Sequence, residues 1–158
     1  MAGYGDDAGF ADWLSENGHV LPGAAAAPAV LRQRASTYLD ARFGPRFSGS
    51  PTGGFAQDRA WPRTGASGHG AAIPDDLVPT PIVRASYAAA WREAVTPGLL
   101  SAVAVPGRQV KREKVEGAVE REFFEGDGEA SNGAPALSEV EGLVAPFLTL
   151  AAPAVFVV

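Results

Sequence analysis

At 158 residues and 46% hydrophobic content the chain has the makings of one modest domain, while 19 glycines and 13 prolines commit much of it to turns and loops. The absence of cysteine excludes disulfides, thiolate metal sites and a cysteine nucleophile. A net charge of −5 argues against a general nucleic-acid binder, whose affinity comes largely from counterion release, although a local basic face remains open.

The first residues carry two aspartates and neither a basic residue nor an apolar run, so they do not read as a secretion signal. Residues 7–17 are expected to form a short helix, because Phe10, Trp13 and Leu14 recur at i, i+3 and i+4 and Asn17-Gly18 supplies a stop. After a Pro/Gly/Ala linker, Pro28 opens a second helix to about Phe43, with Leu31, Ala35, Tyr38 and Leu39 on its apolar stripe and Arg32, Gln33, Asp40 and Arg42 mainly off it. Residues 44–78 lack sustained periodicity and predict a long loop. Phe47, Phe55 and Trp61 argue that this loop is ordered, since each aromatic left in water forgoes ~2–3 kcal/mol of burial.

Thr80 is expected to cap a third helix, with Pro81 in its first turn and Pro97-Gly98 beyond its end near Val95. Ile82, Ala85 and Ala89 line one face and Val83, Tyr87 and Trp91 another, which predicts a central helix. Residues 108–125 read as a charged β-hairpin around Glu116-Gly117. A three-residue loop is preferred there, because it pairs Lys114 with Glu120, Glu113 with Arg121 and Arg112 with Glu122. A fourth helix follows from Ala136 with Leu137, Val140, Leu143 and Val144 as its stripe, ended or kinked by Pro146. Residues 154–158 form an apolar, β-prone tail in which Phe156 is a candidate anchor. The stretch from Gly142 on is too short, and too broken by Pro146 and Pro153, to span a bilayer, so no membrane partner is expected.

The predicted fold is thus mainly α: a bundle of about four helices with a long ordered loop, an inserted hairpin at 108–125, a domain spanning 1–150 and an extended arm at 151–158. No catalytic, cofactor or metal site is legible. His19 and His69 lie in glycine-flanked turns without a ligand spacing, the Gly65-to-Gly70 loop lacks the Lys-Ser/Thr of a phosphate cradle, and Asp75-Asp76 is ordinary turn chemistry before a helix. An enzyme is therefore not expected.

Two motifs carry a resemblance. Trp61-Pro62-Arg63-Thr64-Gly65 is similar to the WPR-x-G element, and Ile73-Pro74-Asp75-Asp76-Leu77-Val78-Pro79 to the IP-x-x-hydrophobic-P turn, of a small phage family labelled DnaT-like single-stranded-DNA-binding. The resemblance extends over most of residues 8–148. In phage genomes such genes sit among head and tail genes, and the helical pattern resembles head-tail connector (adaptor) proteins. The expectation taken from that setting is an adaptor subunit of a virion neck, assembled in the host cytoplasm. Its implied partners are other copies in a dodecameric ring, the portal protein, a downstream stopper or tail component, and genomic double-stranded DNA in the lumen. The alternative takes the family label literally, as a single-stranded-DNA-binding replication protein.

Trp61, Pro62, Pro74 and Pro79 are expected to be structural. Trp61 as a core anchor, with Arg63 pairing an acid such as Asp40 or one on a neighbouring subunit, is preferred over Trp61 stacking on a base with Arg63 on phosphate. Arg63, Lys111, Arg112, Lys114 and Phe156 are the interface candidates, and the Lys111-to-Lys114 run reads equally as a solvated edge, a subunit contact or a patch facing DNA.

Overall fold

The computed structural model describes residues 2–101 and 137–149. Four helices dominate them: α1 (Asp7–Glu16), α2 (Pro28–Phe43), α3 (Thr80–Val95) and α4 (Ser138–Val144). The protein is mainly helical, as the periodicity predicts.

Helix α1 starts after Asp6, whose carboxylate accepts a hydrogen bond from the Gly9 amide at 2.7 Å, and stops where Asn17 Nδ2 donates to the Trp13 carbonyl at 2.7 Å. Such side chains satisfy groups that a helix end leaves without partners. Helices α2 and α3 each carry proline in the first turn, where the missing N–H costs no helical bond. Thr80 is not the cap of α3 but its first residue; Pro79 holds the cap position without a side-chain bond.

Helix α3 is central, packed on α2 and α4 and buried over most of its surface, including Ile82, Ala85, Ala89 and Ala90. The alanines let both neighbours approach closely. On α2 the stripe of Leu31, Ala35, Tyr38 and Leu39 is buried as expected, but Arg32 is buried too, against the reading that places it off the stripe.

The long loop is ordered by two small antiparallel pairs. Strand β1 (Ser50–Pro51) pairs β2 (Arg63–Thr64) with Ser50 opposite Thr64, and β3 (Ser67–Gly68) pairs β4 (Ala71–Ala72) with Ser67 opposite Ala72. Gly49 enters β1 at φ 69, and a Cβ there would run into the Thr64 carbonyl. Phe47 and Trp61 join the core. Phe55, expected to be partly buried by the same argument, is instead fully exposed.

Helix α4 starts two residues later than expected, and Pro146 converts its end into a 3-10 turn (Ala145–Phe147) that buries Phe147. The chain then runs back along the long loop: Ser48 N–H donates to the Phe147 carbonyl at 3.2 Å and Thr149 N–H to the Arg46 carbonyl at 2.7 Å. Among the described residues no helix is long and apolar enough to cross a membrane. The expected hairpin at 108–125, the arm at 151–158, and Lys111, Arg112, Lys114 and Phe156 lie outside the described residues.

Candidate nucleic-acid interface

The Trp-Pro-Arg motif lies at an internal corner. Trp61 is 2% exposed, with its ring edge-on to Phe47 at 5.5 Å and Phe147 at 6.0 Å. Its backbone N–H donates to the Tyr4 hydroxyl at 3.2 Å, and that hydroxyl donates in turn to Asp40, whose other oxygen takes Arg59 at 3.3 Å. Burial, reinforced by the Asp40 charge, holds the Tyr4 phenol far above its ordinary value; burial also raises the Asp40 carboxyl, opposed by the bonds from Tyr4 and Arg59.

Arg63 is 5% exposed and closes onto four backbone carbonyls: Gly49 at 2.7 Å, Ser48 at 2.8 Å, Ala60 at 3.0 Å and Phe47 at 3.4 Å. Desolvation lowers its pKa. The expected Arg63–Asp40 pair is therefore corrected, since Asp40 belongs to Arg59 and Tyr4, and Arg63 neutralises a knot of inward-turned carbonyls. Neither Trp61 nor Arg63 has a face for a base or a phosphate. At the prolines, the Pro62 carbonyl accepts from Thr52 N–H at 3.2 Å and Gln57 Nε2 at 2.9 Å, that of Pro74 from Leu77 N–H at 3.1 Å, and that of Pro79 from Ile82 N–H at 2.9 Å.

Most other arginines of the described residues are also committed. Arg32 bonds Asp7 at 2.6 Å and the carbonyls of Gly5 at 2.8 Å and Tyr4 at 3.3 Å, clamping the N-terminal segment. Arg42 pairs Glu141 at 2.7 Å, tying α2 to α4. Arg34 pairs the buried Glu93 at 3.3 Å; Glu93 also accepts from the amides of Gly98 and Leu100 and so fixes the turn after α3. Arg46, Arg84 and Arg92 are exposed and form no ion pair among the described residues.

Two of these three share α3. Arg84 and Arg92 are eight residues apart, close to two turns and ~12 Å along the axis. Beside Arg92, and 4.8 Å under its guanidinium, lies the ring of Trp91. Trp91 is half-buried, and its indole N–H, buried, has no hydrogen-bond partner among the described residues. His19 stacks on this ring with centroids 3.7 Å apart and planes 8° from parallel. The local sequence produces that stack: Gly18 takes φ 65 to end α1, and His19 N–H reaches back to the Leu14 carbonyl at 2.8 Å, which swings the imidazole onto α3. His69, by contrast, is an exposed turn residue at φ 51, edge-on to Phe147.

The α3 face thus interleaves cations with stacked rings, the composition that single-strand surfaces use. The periodicity of α3 marks Trp91 as core, and nothing in the sequence ties His19 to a residue 72 positions away. A groove of about 500 Å³ along α2 is lined among others by Val30, Arg34, Tyr38, Ala41, Arg42 and Leu100. No cluster of metal-ligating side chains occurs among the described residues.

A family model described as "Putative DnaT-like ssDNA binding protein" matches residues 3–158. The chain belongs to this family. No curated protein and no solved structure matches it. Membership corrects the connector expectation, because the description of the matched family points to single-stranded-DNA binding, and a neck adaptor docked on a portal gains no support from it. The genomic setting and the helical pattern, which suggested a connector, carry no information on the partner. In this DnaT-like chain the family's two motifs build the corner and the entry to α3.

Proposed function

We propose that the chain binds single-stranded DNA and that the strand runs along α3, with phosphates on Arg84 and Arg92 and a base against the His19–Trp91 stack. Family membership over residues 3–158 is the observation that carries this reading. The α3 face supports it because its two arginines form no ion pair among the described residues and because a stacked base contributes ~1–3 kcal/mol whatever its identity. The basic stretch at 108–114, net +3, adds sequence-independent charge. With so few free cations the affinity is modest at physiological salt, in the ~10⁻⁴–10⁻⁶ M range of non-specific binding, and depends weakly on base sequence.

Fluorescence anisotropy of a labelled oligothymidine, titrated at several salt concentrations, tests this. The double change Arg84→Ala, Arg92→Ala is expected to reduce the slope of log K against log salt by about 1.4, because each single-strand phosphate neutralised contributes ~0.7. An unchanged slope places the strand off α3, and no binding by the unaltered protein at low salt removes the function itself.

A further inference from the structure

Helix α1 ends beside a shallow recess of about 580 Å³, lined among others by Ala11, Leu14, Ser15, His19, Val20 and Leu21. Its floor is fixed. Leu14 is buried, Leu21 packs against the core, and the turn that closes the recess is held by Gly18 N–H on the Ser15 carbonyl at 3.2 Å and His19 N–H on the Leu14 carbonyl at 2.8 Å. Its rim is exposed and mostly apolar, with Ala11 and Ser15 on α1 and Val20, 84% exposed, beyond the turn. A preformed apolar concavity with few polar groups is the usual form of a small-ligand site. The volume admits a nucleobase, a cavity of ~150 Å³ being enough for benzene.

His19 belongs both to this recess and to the ring stack on α3. The Arg92 guanidinium and the His19 imidazole lie 4.8 and 3.7 Å from the centroid of the Trp91 ring, so a nucleotide with its phosphate on Arg92 has its base within reach of His19. Charge around the recess is of one sign: exposed Asp12 and Glu16 flank it on α1, the last turn of α1 has no basic residue, and a helix C-terminus carries partial negative charge. A phosphate is repelled there, whereas a neutral base is not. The two surfaces therefore divide a nucleotide between them, backbone to α3 and base to the recess.

We propose that this recess receives one unpaired nucleobase, packed on His19, and that it is where the chain distinguishes single-stranded from double-stranded DNA. The inference rests on the α3 reading and deepens it. Contacts of Arg84 and Arg92 with phosphate are available to either form and discriminate little between them. A base within a duplex is paired along one edge and covered on both faces by its neighbours, so it enters the recess only by losing its pairing and stacking. A single strand offers a base without that loss.

Fluorescence anisotropy of the full chain with three labelled probes of equal length provides the test: oligothymidine, a duplex and an abasic single strand. The unaltered protein is expected to bind oligothymidine about tenfold more tightly than the abasic strand, within the range that one stacked base contributes. Ala11→Trp, which fills the recess from an exposed position of α1, and His19→Ala, which removes its ring, should each lose that tenfold. Duplex and abasic binding should stay unchanged, and the salt slope for oligothymidine should keep its value. Equal binding of oligothymidine and the abasic strand by the unaltered protein, an oligothymidine affinity that survives either substitution, or a loss that extends to all three probes overturns the proposal. Failure of the α3 reading shows separately, as a salt slope unchanged by Arg84→Ala with Arg92→Ala.

Discussion

Two tryptophan–arginine pairs lie in this chain, Trp61 with Arg63 and Trp91 with Arg92, and they are used in opposite ways. Around Trp61 the loop turns four carbonyls inward, and a buried guanidinium is the group that satisfies them. Around Trp91 the backbone is helical and its carbonyls are taken by the helix itself. Arg92 therefore has no internal demand, lies over the indole and keeps its charge at the surface. The lesson is that an arginine's role follows from whether nearby backbone groups have partners. On the proposed reading the ligand therefore binds on α3 and not at the Trp-Pro-Arg motif.

The largest break in this comparison should come from Arg63→Ala. It removes the Arg63 donor from four carbonyls, that of Phe47 buried and the other three part-buried, and is expected to cost about 3 kcal/mol, a large part of a typical stability of ~5–15 kcal/mol, measured by urea unfolding. Retention of most of the stability would mean that water replaces the guanidinium and that the corner is not held by it.

The next effect is alkaline. Burial is the first cause of a raised pKa in all three tyrosines, with the Asp40 charge adding at Tyr4. Between the ordinary phenol value of 10.0 and the folded values, the folded chain keeps protons that the unfolded chain has released. Stability is therefore fully present below pH 10.0 and falls as pH rises through the folded values. Phenolate absorbance is expected to appear together with loss of helical circular dichroism, in one transition. Stepwise phenolate formation in a folded chain would contradict the burial of the Tyr4 corner.

On α3 the predicted effect on stability is small. Arg84→Ala with Arg92→Ala should change it by no more than ~0.5 kcal/mol, as surface substitutions usually do, while lowering the salt slope of DNA binding. A loss of stability comparable to that of Arg63→Ala would mean these arginines are structural after all. The comparison would then collapse.

Helix bounds were readable because their causes are local. Pro28 and Pro81 mark first turns, and the stripes of α2 and the broad apolar surface of α3 follow from helical period. Trp61 as an anchor was readable too, since a lone tryptophan in a long loop has little other use. The partners of Arg63 and Arg32 were not. Both guanidinium groups are held largely by carbonyls, which every residue has and no sequence displays, and the acid for Arg32 comes from Asp7 in another helix. Tyr4, which bonds both Asp40 and Trp61, gave no signal for the same reason. Phe55 shows the limit of burial arguments: a free-energy gain from covering an aromatic predicts that something covers it, but not that the same chain does. The charged run at 108–114 and Phe156 remain sequence-level candidates whose contacts lie outside the described residues.

The most direct test of the central claim is a nuclear magnetic resonance titration that follows the indole N–H signals of the three tryptophans as oligothymidine is added. The Trp91 signal is expected to shift, together with the backbone amides of His19 and Arg92, while the Trp61 signal stays in place. A shift at Trp61 with Trp91 unmoved would contradict it and return the binding site to the Trp-Pro-Arg motif.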